Sequence, residues 1–238
     1  MKATKWKSYS LALIAGMSVL TACSSDDNND NGGNGNNGNG NEIENGTTLK
    51  GTITSDVTLT AGSTYKLSGE YIVEDGATLN IEAGVKIISI YDDIVDYILV
   101  KQGGKINAVG TSSAPIVMTS EKEEPGAWGG IHICGKAHTN AEGGKGSSEI
   151  GGATYGGNDD ADNSGTLKYV RVEYSGYAFD SEHEANGITF YGVGNGTTVE
   201  YCQAYKGSDD GFEFFGGSVN VSNLVSVSCS DDSFDWTE

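Results

Sequence analysis

The sequence predicts an all-β solenoid of the parallel β-helix type, with coils of about 22 residues, and three observations carry that expectation. First, Ser208-Asp209-Asp210-Gly211-Phe212-Glu213-Phe214 returns 22 residues later as Ser230-Asp231-Asp232-Ser233-Phe234-Asp235-Trp236. A repeat of this length with alternating apolar residues lays like side chains one coil above the next. Second, Leu167, Val170 and Val172 align with Val199, Cys202 and Ala204, and these with Val221, Leu224 and Ser226. The first interval is 32 residues and the second 22, so ten residues around 180–186 read as an insertion. Third, the chain has only 2 prolines in 238 residues, Pro115 and Pro125, so most segments can donate a full ladder of backbone hydrogen bonds. A β-propeller needs about 40 residues per blade, and leucine-rich repeats need a Leu/Asn ladder; neither pattern is present.

Residues 1–22 read as a targeting segment. Lys2, Lys5 and Lys7 precede a short apolar run over 11–20, which is too short to span a bilayer comfortably. Leu20-Thr21-Ala22-Cys23 then resembles the lipobox of bacterial lipoproteins, which implies cleavage before Cys23 and lipid on its sulfur. An ordinary secretory signal followed by a chance cysteine is the bland alternative. Residues 23–45 are rich in Asn, Gly and Asp, with little to bury, and read as a flexible, acidic tether. The acidic run after Cys23 resembles the export signal of surface lipoproteins in the Bacteroidetes, which implies the outer face of the outer membrane. A mere spacer is the alternative.

The body, 46–238, has the length of one domain. Leu49–Ile53, Val57–Leu59, Tyr65–Leu67, Tyr71–Val73 and Ala77–Ile81 each suggest a half-buried strand, with Gly62, Gly69, Gly76 and Gly84 at turns between them. Ile98–Val100, Lys105–Ala108, Pro115–Met118 and Trp128–Ile133 continue the series. The Gly-rich, polar stretch 142–164 reads as a long loop thrown out from the solenoid, a place where function often sits.

Without the three signal lysines the formal charge of −19 becomes −22, and Arg171 is the single arginine. Nucleic-acid binding needs a basic footprint, so that class is excluded. A polyanionic ligand is disfavoured unless a cation bridges it. Beyond Cys23, the cysteines are Cys134, Cys202 and Cys229, with no metal-type spacing. The repeat places Cys202 in the core and Cys229 near a turn, and free thiols are expected in preference to a Cys202–Cys229 bridge.

Four stretches carry a family resemblance: Gly76-Ala77-Thr78-Leu79-Asn80-Ile81-Glu82-Ala83-Gly84, Trp128-Gly129-Gly130-Ile131, Gly165-Thr166-Leu167-Lys168-Tyr169-Val170-Arg171-Val172 and Asp209-Asp210-Gly211-Phe212-Glu213-Phe214-Phe215-Gly216-Gly217. They resemble secreted and lipid-anchored right-handed parallel β-helix proteins common in Bacteroidetes. The resemblance spans the body and implies the right hand of the coil. That family has no settled activity to carry over. Its members look longer than this chain, and the sequence stops inside a repeat, so the β-helix is expected to be incomplete at its C-terminus.

The acidic pairs are the sharpest chemical feature. Coils stack about 4.8 Å apart, which puts Asp209 beneath Asp231, Asp210 beneath Asp232 and Glu213 beneath Asp235. Unit charges at that separation repel by roughly 1 kcal/mol in water and about 3 kcal/mol at an effective dielectric of 20. With only Lys206 nearby, these six carboxylates suit a hard cation such as calcium. Turn-building by Asp, with Glu213 and Asp235 on a solvent face, is the simpler reading. Acid–base work on a glycosidic bond needs paired carboxylates. A hydrolase of this fold also needs a histidine and a basic pair that this stretch lacks, and a lyase would have only Lys206 as base. His132, between Ile131 and Ile133, is expected to face outward; His138 and His183 lie in polar loops. Phe212 and Phe234 read as a stacked ladder, whereas Tyr174, Tyr177 and Tyr205 are candidates for an outward, sugar-binding face.

The expectation is therefore a lipoprotein of the outer membrane, held by lipid on Cys23, whose β-helix binds extracellular glycan or another surface ligand. A polysaccharide lyase or glycoside hydrolase and a structural or adhesive rod are the alternatives.

Overall fold

The computed structural model describes residues 41–92, 94–180 and 183–238. The signal segment, Cys23 and the first part of the tether lie outside the described residues. From Asn41 onward the chain winds into a right-handed parallel β-helix.

Each coil contributes to three faces. The first face holds seven strands in the order Asn41–Ile43, Val57–Leu59, Thr78–Ile81, Lys105–Val109, Gly165–Lys168, Thr198–Glu200 and Asn220–Ser222. The second runs through Lys86–Ser89, Ile116–Ser120, Val170–Glu173, Gln203–Tyr205 and Val225–Val227. The third runs through Tyr97–Val100, Ile131–Cys134, Ile188–Tyr191, Phe212–Phe215 and Phe234–Trp236. Every inter-coil pairing in these faces is parallel. Asn41–Ile43 sits in the stretch whose composition reads as tether; it pairs with Val57–Leu59 because Ile43 supplies one apolar side chain that packs on the core.

Thr64–Val73 joins the second and third faces. Its first half pairs with Lys86–Ser89 and its second with Tyr97–Val100. The change of direction falls at Gly69, which has φ +71 and would press a Cβ to 3.3 Å from the Ile94 side chain. Gly69 therefore bends a continuous strand and does not mark a turn between two strands, as the sequence pattern suggested.

Inside the coil, stacked Leu, Ile, Val and aromatic residues form one core from Leu49 to Phe214. Alternation of the strands supplies it: Leu79, Ile81, Ile106, Ala108, Leu167 and Val199 are all inward and at most 2 % exposed. Each fully buried aliphatic of this kind contributes about 1.5–3 kcal/mol of transfer free energy. Phe212 stacks on Phe234 at 5.5 Å and Phe214 on Trp236 at 5.3 Å, as the repeat predicts. Cys134, Cys202 and Cys229 are free thiols, the first two buried.

A second core lies outside the coil. Tyr97, Leu99, Cys134 and Tyr191 point away from the axis on the third face and are covered by Ile150, Ala153, Tyr155 and Ala185. The stretch 142–164 is therefore not thrown out into solvent. It folds back as a cover, with Gly146–Ser147 paired antiparallel to Thr154–Tyr155. Ile150, fully buried, and Tyr155, in ring contact with Tyr191 at 5.2 Å, anchor it. His132 is corrected by the same finding. It does alternate outward, but it is completely buried beside Tyr97 and Tyr191, the residues against which the cover packs. Burial holds its proton affinity down at about pH 4, and Nε2 bonds the Gly129 carbonyl at 2.7 Å, so it is a neutral donor.

Candidate functional site

Two regions gather the chemistry. The first is the acidic one. The outward column of the third face runs Leu99, His132, Thr189, Glu213, Asp235 by strand register. The column is fully buried at His132 and Thr189 and emerges from under the cover at Glu213, which is 9 % exposed. At the corner before it stand Asp209 and Asp210. One carboxylate oxygen each of Asp210, Glu213 and Asp235 lie within 4.8 Å of one another, and the same holds for Asp209, Asp210 and Asp231.

Glu213 therefore does not mark a solvent face. Its carboxylate accepts a hydrogen bond from the Asn186 amide, whose own oxygen accepts the Asp210 N–H at 3.2 Å. Asp210 does build structure, but across coils: it accepts the Asp232 N–H at 2.8 Å. Asp232 belongs to neither carboxylate trio. Desolvation raises Glu213 to about 8 and Glu149, on the cover, to about 7, with nearby carboxylates adding to both shifts. Burial and neighbouring acids likewise raise Asp209 and Asp210 to about 6. Donors of carboxylate oxygen alone fit calcium better than a softer metal.

Lys206, the base expected beside these acids, lies elsewhere. Its ammonium sits over the rings of Tyr205 at 5.2 Å and Tyr174 at 5.9 Å. The strongest charges acting on Asp209, Asp210 and Glu213 are other carboxylates.

The second region is aromatic and lies at the end of the second face and the corner that follows it. Tyr174 and Tyr205 meet edge to face at 5.9 Å, and Arg171 reaches over Tyr205 at 5.6 Å. Tyr174 is 9 % exposed, so it presents little more than an edge, while Tyr205 is half-buried. Tyr177 packs on Phe179 at 5.2 Å and lines a groove of about 350 Å³ with Tyr91, Ile94, Lys122 and Pro125. Gly126 and Ala127 form part of this groove and bond to the Ser175 and Tyr174 carbonyls, so the groove opens directly beside the tyrosines. Tyr91, Ile94 and Phe179 are 65 %, 58 % and 41 % exposed. Of the three tyrosines that sequence reasoning selected, Tyr174 and Tyr205 are in ring contact and Tyr177 lines the groove.

Two features escaped the sequence. Glu149 and Asn186 reach the acids from insertions that break the repeat, so no register announces them. Tyr169 and Tyr201 stack face to face, at 4.7 Å and 10° between planes. The signal for that pair was present: they are 32 residues apart, the spacing of Leu167 and Val199.

A right-handed coil of parallel strands with a folded-back cover defines a protein of the parallel β-helix class. The family model described as the pectate-lyase like beta helix domain matches residues 51–238, and the chain belongs to that family. No curated protein and no solved structure matches this chain.

Proposed function

We propose that this protein is a surface-anchored binder of extracellular glycan. Lipid on Cys23 holds it to the outer membrane, the acidic stretch before residue 41 spaces it outward, and the second face of the β-helix with the corner that follows it takes the ligand. The observation that carries the reading is the groove lined by Tyr91, Lys122 and Tyr177, whose wall residue Ala127 bonds the carbonyl of Tyr174, itself in ring contact with Tyr205. Aromatic rings there offer apolar area with polar handles, the combination that sugar rings recruit. The family's description points to the same chemistry, since it associates this coil with polysaccharide. Affinity electrophoresis of the full-length chain through gels holding soluble polysaccharides tests it. At least one polymer retards the wild type, and Tyr177→Ala with Tyr205→Ala abolishes the retardation. Unretarded migration in every gel refutes the reading.

The carboxylate trios favour a second element, a hard divalent cation held by Asp210, Glu213 and Asp235 with Asp209 and Asp231 beside them. Calcium then raises the unfolding midpoint at pH 8, and E213Q removes the rise; an indifferent wild-type midpoint ends this part of the reading. A lyase is the weaker reading because Lys206, the base it would need, is held over the tyrosines.

A further inference from the structure

The corner between the first and second faces is a column of residues in the left-handed region. Tyr169, Tyr201 and Asn223 occupy it in successive coils, with φ of 52°, 55° and 55°. Backbone bonds fix the order: the Tyr169 carbonyl accepts the Ile116 N–H, Tyr169 N–H donates to Glu200, and Tyr201 N–H donates to Ser222. The corner conformation points each side chain the same way, so the coils set the ring spacing, and Tyr169 and Tyr201 stack at 4.7 Å. The next rung carries Asn223 and no ring. Tyr201, stacked on one side by Tyr169 and with the Lys168 ammonium 5.9 Å from its ring centroid, is 43 % exposed.

A cavity of about 290 Å³ lies against this interrupted ladder, lined by Tyr169, Tyr201, Arg171, Gln203, Asn223 and Val225, among others. Its polar groups are donors and amides. Arg171 Nε is buried without a hydrogen-bond partner, and Gln203 and Asn223 stand beside it. The charge in its lining is already paired, Arg171 with Glu173 at 2.8 Å, and the flanking Lys168 pairs with Glu200 at 3.1 Å. An apolar floor, an exposed aromatic ring, an unsatisfied donor and balanced charge describe a site for a flat ring bearing hydroxyls and no charge.

We infer that the missing rung above Tyr201 is a subsite for one neutral pyranose ring of a glycan, stacked on Tyr201 and hydrogen-bonded by Arg171, Gln203 and Asn223. This rests on the glycan-binding reading and adds a place and a sugar class to it. A ring entering there continues the spacing the coils already impose.

The test uses the full-length chain and two substitutions that keep the corner. Y201N removes the platform with a residue that tolerates the left-handed region, and N223Y fills the rung with a protein ring. Both are titrated with a soluble β-glucan, a mannan, a xylan and, as an acidic polymer, polygalacturonate, with thermal unfolding as a control on folding. The expected result is that at least one neutral polymer binds the wild type, and that each variant weakens it by about tenfold or more with its unfolding cooperative. Saturation-transfer NMR then shows sugar ring protons against tyrosine in the wild type and loses the effect in N223Y. Wild-type binding that both variants retain overturns the subsite and leaves glycan binding standing. Binding of polygalacturonate alone overturns the neutral class. No binding to any polymer overturns both readings.

Discussion

Glu213 is the residue at which structure and pH are most tightly tied. Unfolded, its carboxyl ionises near the ordinary Glu value of 4.5; folded, burial chiefly, then Glu149, Asp210 and Asp235, hold its proton until about pH 8. A folded state that binds a proton more tightly gains stability below the unfolded value and loses it as pH rises through the folded one. His132 works in the opposite sense. Its folded affinity falls to about 4, so its effect is confined to pH below the ordinary histidine value of 6.5. Between pH 6.5 and 8 the carboxylates therefore act without it, and Glu213 alone removes roughly 1.5 kcal/mol of stability, with Glu149 lowering it further. The unfolding midpoint should drop by about 4 °C across that interval, and E213Q should flatten most of the drop. A wild-type midpoint constant from pH 6.5 to 8 would show that the folded carboxyl is already ionised. The aligned acids made this column visible in the sequence. Its proton affinity was not visible, because that depends on burial by Asn186 and Glu149, which the repeat does not place.

At the scale of elements, the strands were legible and their covering was not. Period-two alternation and glycine punctuation located Val57–Leu59, Thr78–Ile81, Tyr97–Val100 and Lys105–Val109 to within a residue or so. The same alternation correctly turned His132 out of the central core. It could not show that a second layer lies there, since 142–157 contributes chiefly Ile150, Ala153 and Tyr155 to that layer, isolated among Gly, Ser and Glu with no period to read. Two anchors suffice because the third face already offers Tyr97, Leu99 and Tyr191 as a dry surface. Ile150→Asp places a charge in that layer and should detach the cover without breaking the coil beneath. The measurement is histidine modification by diethyl pyrocarbonate at neutral pH. His138 and His183, exposed in the wild type, react in both proteins, and His132 reacts only in the variant. Continued protection of His132 in a folded I150D protein would mean that the coil itself, and not the cover, buries it.

Across the whole molecule, a coil that contacts only its neighbours has stability distributed along its length. The 22-residue period was readable because stacking demands that like residues recur, and every rung from Val199/Val221 to Glu213/Asp235 falls in the register the sequence shows. The corners follow the same logic less visibly: left-handed Tyr169, Tyr201 and Asn223 share no residue type that a pattern search would select. One-dimensional coupling makes the consequence of a core defect local. Phe212→Ala empties a fully buried position stacked on Phe234 and should cost about 3–5 kcal/mol. Native-state hydrogen exchange should show that loss in Ile188–Tyr191, Phe212–Phe215 and Phe234–Trp236, with Val57–Leu59 and Thr78–Ile81 protected as in the wild type. Uniform loss of protection along the coil would instead make the β-helix one cooperative unit. In that case a ligand seated at the tyrosines would stabilise the first coils as strongly as the last, whereas local coupling confines its effect to the coils it touches.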